Sequence, residues 1–139
     1  MASRDEDGRV VPRPTAVTQP FWDGTKAGEL RIQRCDDCGE HVFYPRSGCP
    51  YCAGTSLSWV TASGDATLDS FVISHHPAPG FEAPYVIAIV KLAEGPRMLT
   101  NLVGVEPEPD HLRLDMPLRV TFAERGDQAL ALFTPKEAA

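Results

Sequence analysis

No run of apolar residues in this 139-residue chain approaches the ~20 that a membrane-spanning helix requires. The longest, Tyr85–Val90, has the length of a strand. Basic residues are also scarce: 13 Lys and Arg stand against 19 Asp and Glu, a formal charge of -6. Non-specific nucleic-acid binding draws its affinity from cations that neutralise phosphates, so this balance argues against it. The opening residues Met1–Asp7 are polar and carry no apolar signal core, which leads to the expectation of a soluble, cytoplasmic protein. No nucleophile stands beside a base in a recognisable pattern, and no glycine-rich loop suits a phosphate. Free-standing catalysis therefore has no visible residue set. Cysteine is nearly absent as well, with four in the whole chain.

Those four form two Cys-x-x-Cys pairs, Cys35/Cys38 and Cys49/Cys52, within CDDCGEHVFYPRSGCPYC. Each pair can present two thiolates from one tight turn, and two such turns complete a tetrahedron around zinc. Gly39 follows the first pair; Gly48 precedes the second, which has Pro50 inside it. Two rivals exist. Disulfides suit a secreted protein, which the polar start does not suggest. A redox dithiol is normally a single pair near a βαβ unit, and the chain has none. The spacing predicts a zinc ribbon. Four thiolates leave no coordination position for water or substrate, so the zinc is expected to be structural. Closed sites of this kind contribute about 10–16 kcal/mol of folding energy in small zinc peptides.

The chain divides into a flexible arm over 1–17, an aromatic helix and ribbon over 18–56, and a barrel over 57–139. The arm is charged and proline-rich without a periodic apolar face. A short helix is expected over Pro20–Ala27, with Thr18 able to cap it, Pro20 in its first turn and Gly28 at its end. It carries Phe21 and Trp22 about 100° apart around the helix axis, so the two rings face different surfaces. Either both pack on the ribbon or this segment anchors another protein. Glu29–Arg34 and His41–Tyr44 frame the first knuckle as a small hairpin, and Leu57–Val60 follows the second.

The remainder reads as five strands: Ala66–Ser74, Tyr85–Leu92, Arg97–Val103, Pro117–Glu124 and Gln128–Phe133. In Tyr85–Leu92 both alternating sets are apolar, the pattern of a strand covered on both faces. Two tight turns and one long excursion, Gly104–Met116, fit a partly open Greek-key barrel of the OB type. The fold expected is thus mainly β: a short N-terminal helix and a rubredoxin-like zinc ribbon before a five-stranded OB-type barrel. The loop His75–Pro84, stiffened by three prolines, is a natural place for binding. Its His75, His76 and Phe81 are the candidate binding residues. Ordinary loop residues are the plain alternative, since no carboxylate or nucleophile accompanies the histidines. The acidic Gly104–Met116 excursion reads as a solvated surface, with Pro109 able to start one helical turn.

Phe21-Trp22, Gly28-Glu29-Leu30, the two knuckles with Pro45-Arg46 between them, Pro84-Tyr85-Val86, Glu94-Gly95-Pro96 and Leu99-Thr100-Asn101 carry a resemblance. In this order they resemble the acyl-CoA-associated zinc-ribbon/OB-fold family, over about residues 18 to 134. One departure is Asp115 before Met116-Pro117, where the family often has Gly; Asp tolerates a left-handed bend better than most residues. The resemblance implies a non-catalytic accessory subunit of a thiolase-fold enzyme, an aldolase or thiolase. Some relatives pair with thiolase-like aldolases that shorten steroid side chains by retro-aldol cleavage of a CoA thioester. It further implies an α2β2 complex in which acyl-CoA is bound jointly with the partner, with Phe21 and Trp22 at the interface and His75, His76 and Phe81 as candidates for an acyl-CoA contact or the active-site mouth. The alternative is an OB-fold nucleic-acid-binding protein, with bases stacked on aromatic side chains.

Overall fold

The computed structural model describes residues 8–78 and 80–136. Residues 1–7 of the expected arm lie outside the described residues. Of the remainder of that segment, Val11 is buried, and the space a side chain at Gly126 would need is taken by its methyl groups.

The helix α1 spans Gln19–Lys26. Thr18 does not cap it through its side chain. Its hydroxyl oxygen instead accepts from the Thr15 backbone N–H at 2.8 Å, so the preceding turn takes the capping capacity. Gly28, at φ 78°, ends the helix as expected. Gly24, a weak residue for a helix interior, has a packing reason: a β-carbon there would sit 2.7 Å from Arg31 Cγ and 3.0 Å from the Glu29 carbonyl.

Strands β1 (Arg31–Cys35), β2 (His41–Val42) and β3 (Leu57–Thr61) form an antiparallel sheet in the order β2-β1-β3. β3 lies opposite β1 in the register Gln33↔Trp59, so by hydrogen bonding it belongs to the ribbon sheet and not to the barrel. It closes an edge of β1 that would otherwise stay unpaired.

β4 (Asp65–Ser74), β5 (Tyr85–Leu92), β6 (Arg97–Leu102), β7 (Pro117–Arg125) and β8 (Gln128–Pro135) make a closed barrel in the order β4-β5-β6-β8-β7. The long excursion holds one 3-10 turn at Pro109–His111, and Asp115 takes the left-handed bend at φ 66°. The core is filled by inward residues of alternating strands, with Leu68, Val90, Leu118 and Phe133 wholly buried. Each contributes about 1.5–3 kcal/mol relative to exposure. Closure between β6 and β8 is narrow: they are parallel and register only at Leu102↔Phe133. Away from that point the seam is bridged by the Thr100 hydroxyl, which donates to the Ala131 carbonyl at 2.9 Å.

β5 departs from expectation on one side. Val86, Ala88, Val90 and Leu92 are buried, but the other apolar set looks outward, with Ile89 37% exposed. Phe81 of the loop before β5 covers the Tyr85 end of that face, while the helix lies over β8 and β1.

Candidate functional site

The first knuckle is shaped by Gly39, φ 79°, whose N–H donates to the Cys35 carbonyl at 2.8 Å. The second repeats this geometry with a different residue: the Ala53 N–H donates to the Cys49 carbonyl at 2.9 Å, at φ 64°. The left-handed position of the second knuckle is therefore Ala53, one residue past Cys52, and not the preceding Gly48. Gly54 is crowded: a β-carbon there would displace the exposed Asp37 carboxylate and press, at 3.3 Å, on the Cys52 sulfur.

The four sulfurs all lie within 4.8 Å of one another. Cys35 and Cys52 are separated by 3.5 Å, and Cys38 and Cys49 by 3.7 Å. A tetrahedron of Zn–S bonds has S–S edges of about 3.8 Å, whereas a disulfide needs about 2.05 Å. The cysteines fit one zinc ion, with all four positions filled. Backbone N–H groups of Tyr51 and Gly54 point at the Cys49 and Cys52 sulfurs, each at 3.4 Å. They orient the ligands and offset their charge.

The thiols differ in acidity. The Cys38 backbone N–H brings Cys35 down to about 7, against the opposing effect of burial. For Cys52, the Gly54 N–H pulls the other way, but the neighbouring Cys35 sulfur and burial outweigh it and push the thiol up to about 12. Four negative charges this close repel strongly; a dication at their centre removes the conflict. Cys35 and Cys49 are buried, while Cys38 and Cys52 are on the solvent side.

The segment between the knuckles is held twice. The buried Gln33 side chain donates from Nε2 to the Arg46 carbonyl and accepts the Arg46 N–H at Oε1, both at 2.8 Å. Tyr44 reaches the barrel, where its hydroxyl oxygen accepts the Leu99 N–H at 2.9 Å. With Phe43 and Pro45, it forms one wall of a hollow of about 300 Å³. The others are Phe21 and Trp22 of α1 and the open β6–β8 seam, including Leu99, Leu130 and Leu132. Phe21 is buried beneath, stacked edge-on against Phe43 with centroids 5.5 Å apart, and Trp22 lies 4.9 Å from it, nearer the surface.

The proline-stiffened loop borders the other side of β6, where Leu99, Thr100 and Asn101 line a second hollow as well as the first. Phe81 stacks on Tyr85 at 5.6 Å, and the Arg125 guanidinium sits 5.3 Å from its ring centre. The second hollow, about 340 Å³, runs from Phe81 and Tyr85 past Ile87 to Leu99, Thr100 and Asn101. His75 and His76 are exposed and line neither hollow. The structure thus brings the four cysteines to one point and Phe21 with Trp22 to one hollow. It leaves the histidines outside both. Gln33, Tyr44 and Leu99 join the site only through the tertiary structure; the local signal for Leu99 is a single leucine in the outward set Arg97, Leu99 and Asn101.

A closed tetrathiolate ribbon joined through an aromatic helix to a five-stranded barrel defines a zinc-ribbon/OB-fold protein. Family models agree: the ChsH2 rubredoxin-like zinc ribbon domain matches residues 22–58, and the ChsH2 C-terminal OB-fold domain matches 59–123. The chain belongs to this ChsH2-type family, also called DUF35. A solved structure described as an Ltp2-ChsH2(DUF35) aldolase superposes with a TM-score of 0.81 at 35% identity, covering 90% of this chain and 98% of that one. The 3-oxo-4,17-pregnadiene-20-carboxyl-CoA hydratase alpha subunit of Mycobacterium tuberculosis is 39% identical over 96% of this chain, which spans only 42% of that relative's length. The benzoylsuccinyl-CoA thiolase subunit BbsA of Thauera aromatica is 30% identical, over 69% of this chain and 65% of that subunit.

Proposed function

We propose that this protein is a non-catalytic accessory subunit of a thiolase-fold acyl-CoA enzyme, an aldolase or thiolase, and that it helps shape the acyl-CoA channel. The observation that carries this reading is the exposed apolar face made by Val72, Ile89 and Leu99 on neighbouring strands, in a protein similar to subunits of larger enzymes. The metal ligands are all thiolates, so the zinc serves architecture and the bond-breaking chemistry falls to the partner. The substrate is a bulky acyl-CoA, and similarity to the pregnadiene-carboxyl-CoA hydratase subunit supports a steroid side chain cleaved by a retro-aldol step. An α2β2 assembly in the cytoplasm completes the proposal. Nucleic acid is disfavoured by the same face: in OB-folds the second and third strands offer the binding surface, and here Ile87, Ile89 and Leu99 occupy it.

The test is affinity capture from the native host with quantification of co-purifying subunits. A thiolase-fold enzyme at one-to-one stoichiometry, with acyl-CoA turnover by the complex, supports the reading. Recovery of nucleic acid, or of this protein alone, overturns it.

A further inference from the structure

We propose that the outer face of β4–β6, centred on Leu99 and continuous with the Tyr44–Trp22 hollow, is the docking surface for an apolar anchor of the thiolase-fold subunit. The inference rests on the accessory-subunit reading and specifies which side of the molecule serves it.

Register builds this face. Val72 of β4 lies opposite Ile87 of β5, and Ile89 of β5 lies opposite Leu99 of β6. These side chains point away from the barrel, with Val72 61%, Leu99 58% and Tyr44 49% exposed. Three strands at about 4.8 Å spacing make the apolar strip one patch instead of scattered residues. Contiguous apolar patches of roughly 300–600 Å² are the largest that typical monomers show, and they are commonly functional.

The chemistry selects a protein as the occupant. No charged residue lines the hollow or stands in the strip. Charges collect at one end, where Lys91 lies opposite Arg97 and Arg97 pairs with Asp69 at 3.1 Å. An apolar centre with a polar rim is the anatomy of a protein interface. A small ligand requires enclosure of most of its surface, whereas this strip lies on the convex outside of a barrel. A second copy fits poorly: a two-fold contact centred here would set hollow against hollow and leave both without an occupant. A protruding aromatic or aliphatic side chain from a different subunit fills it. The wall is also preorganised, since Tyr44 is tied to the Leu99 N–H and its neighbour Arg46 to Gln33.

The experiment uses the full chain co-expressed with the thiolase-fold subunit that co-purifies with it. Hydrogen exchange is compared between free protein and complex, and the affinities of L99D, V72D and L114D are measured. Leu114 is an exposed leucine of the β6–β7 excursion, outside the three strands of the strip, and serves as control. Expected are slowed exchange over 44–46 and 97–101, and affinity lowered at least about tenfold by L99D and V72D with L114D unchanged. A wild-type complex indifferent to L99D and V72D, or protected elsewhere, overturns this face and leaves the accessory-subunit reading standing. No complex with any thiolase-fold subunit overturns that reading and the docking face with it. Slowed exchange at 97–101 in a homodimer of the isolated protein, with no hetero-complex, assigns the face to self-association and overturns the proposal.

Discussion

The Tyr44 hydroxyl accepts a hydrogen bond from the Leu99 backbone N–H at 2.9 Å, across 55 positions of sequence. Tyr44 lies between the two zinc knuckles, and Leu99 is on the third strand of the barrel. This bond, with the packing of Phe43 against Phe21, couples the metal module to the barrel surface. The hollow beside it has a wall from each module, so its shape depends on both.

Removing that hydroxyl tests the coupling. Y44F should lower stability by about 1 kcal/mol, the net worth of one hydrogen bond, while leaving zinc content intact. Urea denaturation gives the stability, and faster exchange at the Leu99 amide identifies the lost contact. Unchanged exchange there would show that the bond does not form in solution.

Gln33 is a larger commitment, because it is buried and serves two backbone groups of Arg46 at once. Q33L should cost about 2–3 kcal/mol, since it removes two bonds and leaves both Arg46 groups to find other partners. The same urea titration measures it.

One zinc per chain is expected by elemental analysis. Chelation should release the knuckle end of the ribbon, because four thiolates without a cation repel and that end has little core beyond Val42 and Leu57, whereas Ile32, Trp59 and Val60 of the same sheet pack into the main core. Indole fluorescence should change, since Trp59 is on β3 and Trp22 packs near Phe43. The buried amides of β4 and β5 should remain protected, as barrel residues such as Leu68, Val90, Leu118 and Phe133 supply most of the core beneath them.

The second knuckle carries strain that can be relieved. A53G should raise stability by about 1 kcal/mol, because a non-glycine residue at φ 64° pays a steric cost that glycine avoids. G54A should do the opposite and lower zinc affinity, since its methyl group meets Asp37 and the Cys52 sulfur. Thermal melts and competition with a chromophoric chelator check the pair.

Much was legible from the residues alone. Two Cys-x-x-Cys turns specify a tetrahedral site because the ligand spacing is local and the chemistry of thiolates is narrow. The barrel strands were visible because side chains alternate with period two, and turns at Glu94-Gly95-Pro96 and Arg125-Gly126-Asp127 separate them. Local pattern was misleading where a competing local interaction won. Thr18 bonds back to Thr15 instead of capping, and the left-handed site of the second knuckle falls on Ala53. The alternation in Tyr85–Leu92 reported two apolar faces correctly, but the chain covers the outer one only at its Tyr85 end, through Phe81.

The sequence by itself determined the metal site and the barrel's strand count, since each depends on residue type and short-range spacing. Only the tertiary structure decided that β3 joins the ribbon sheet, that Gln33 and Tyr44 pin the segment between the knuckles, and that Trp22, Tyr44 and Leu99 share one hollow. Those relationships arise from strand pairing and from contacts between residues far apart in the chain. No local periodicity encodes which distant partner a buried amide or an exposed hydroxyl will meet.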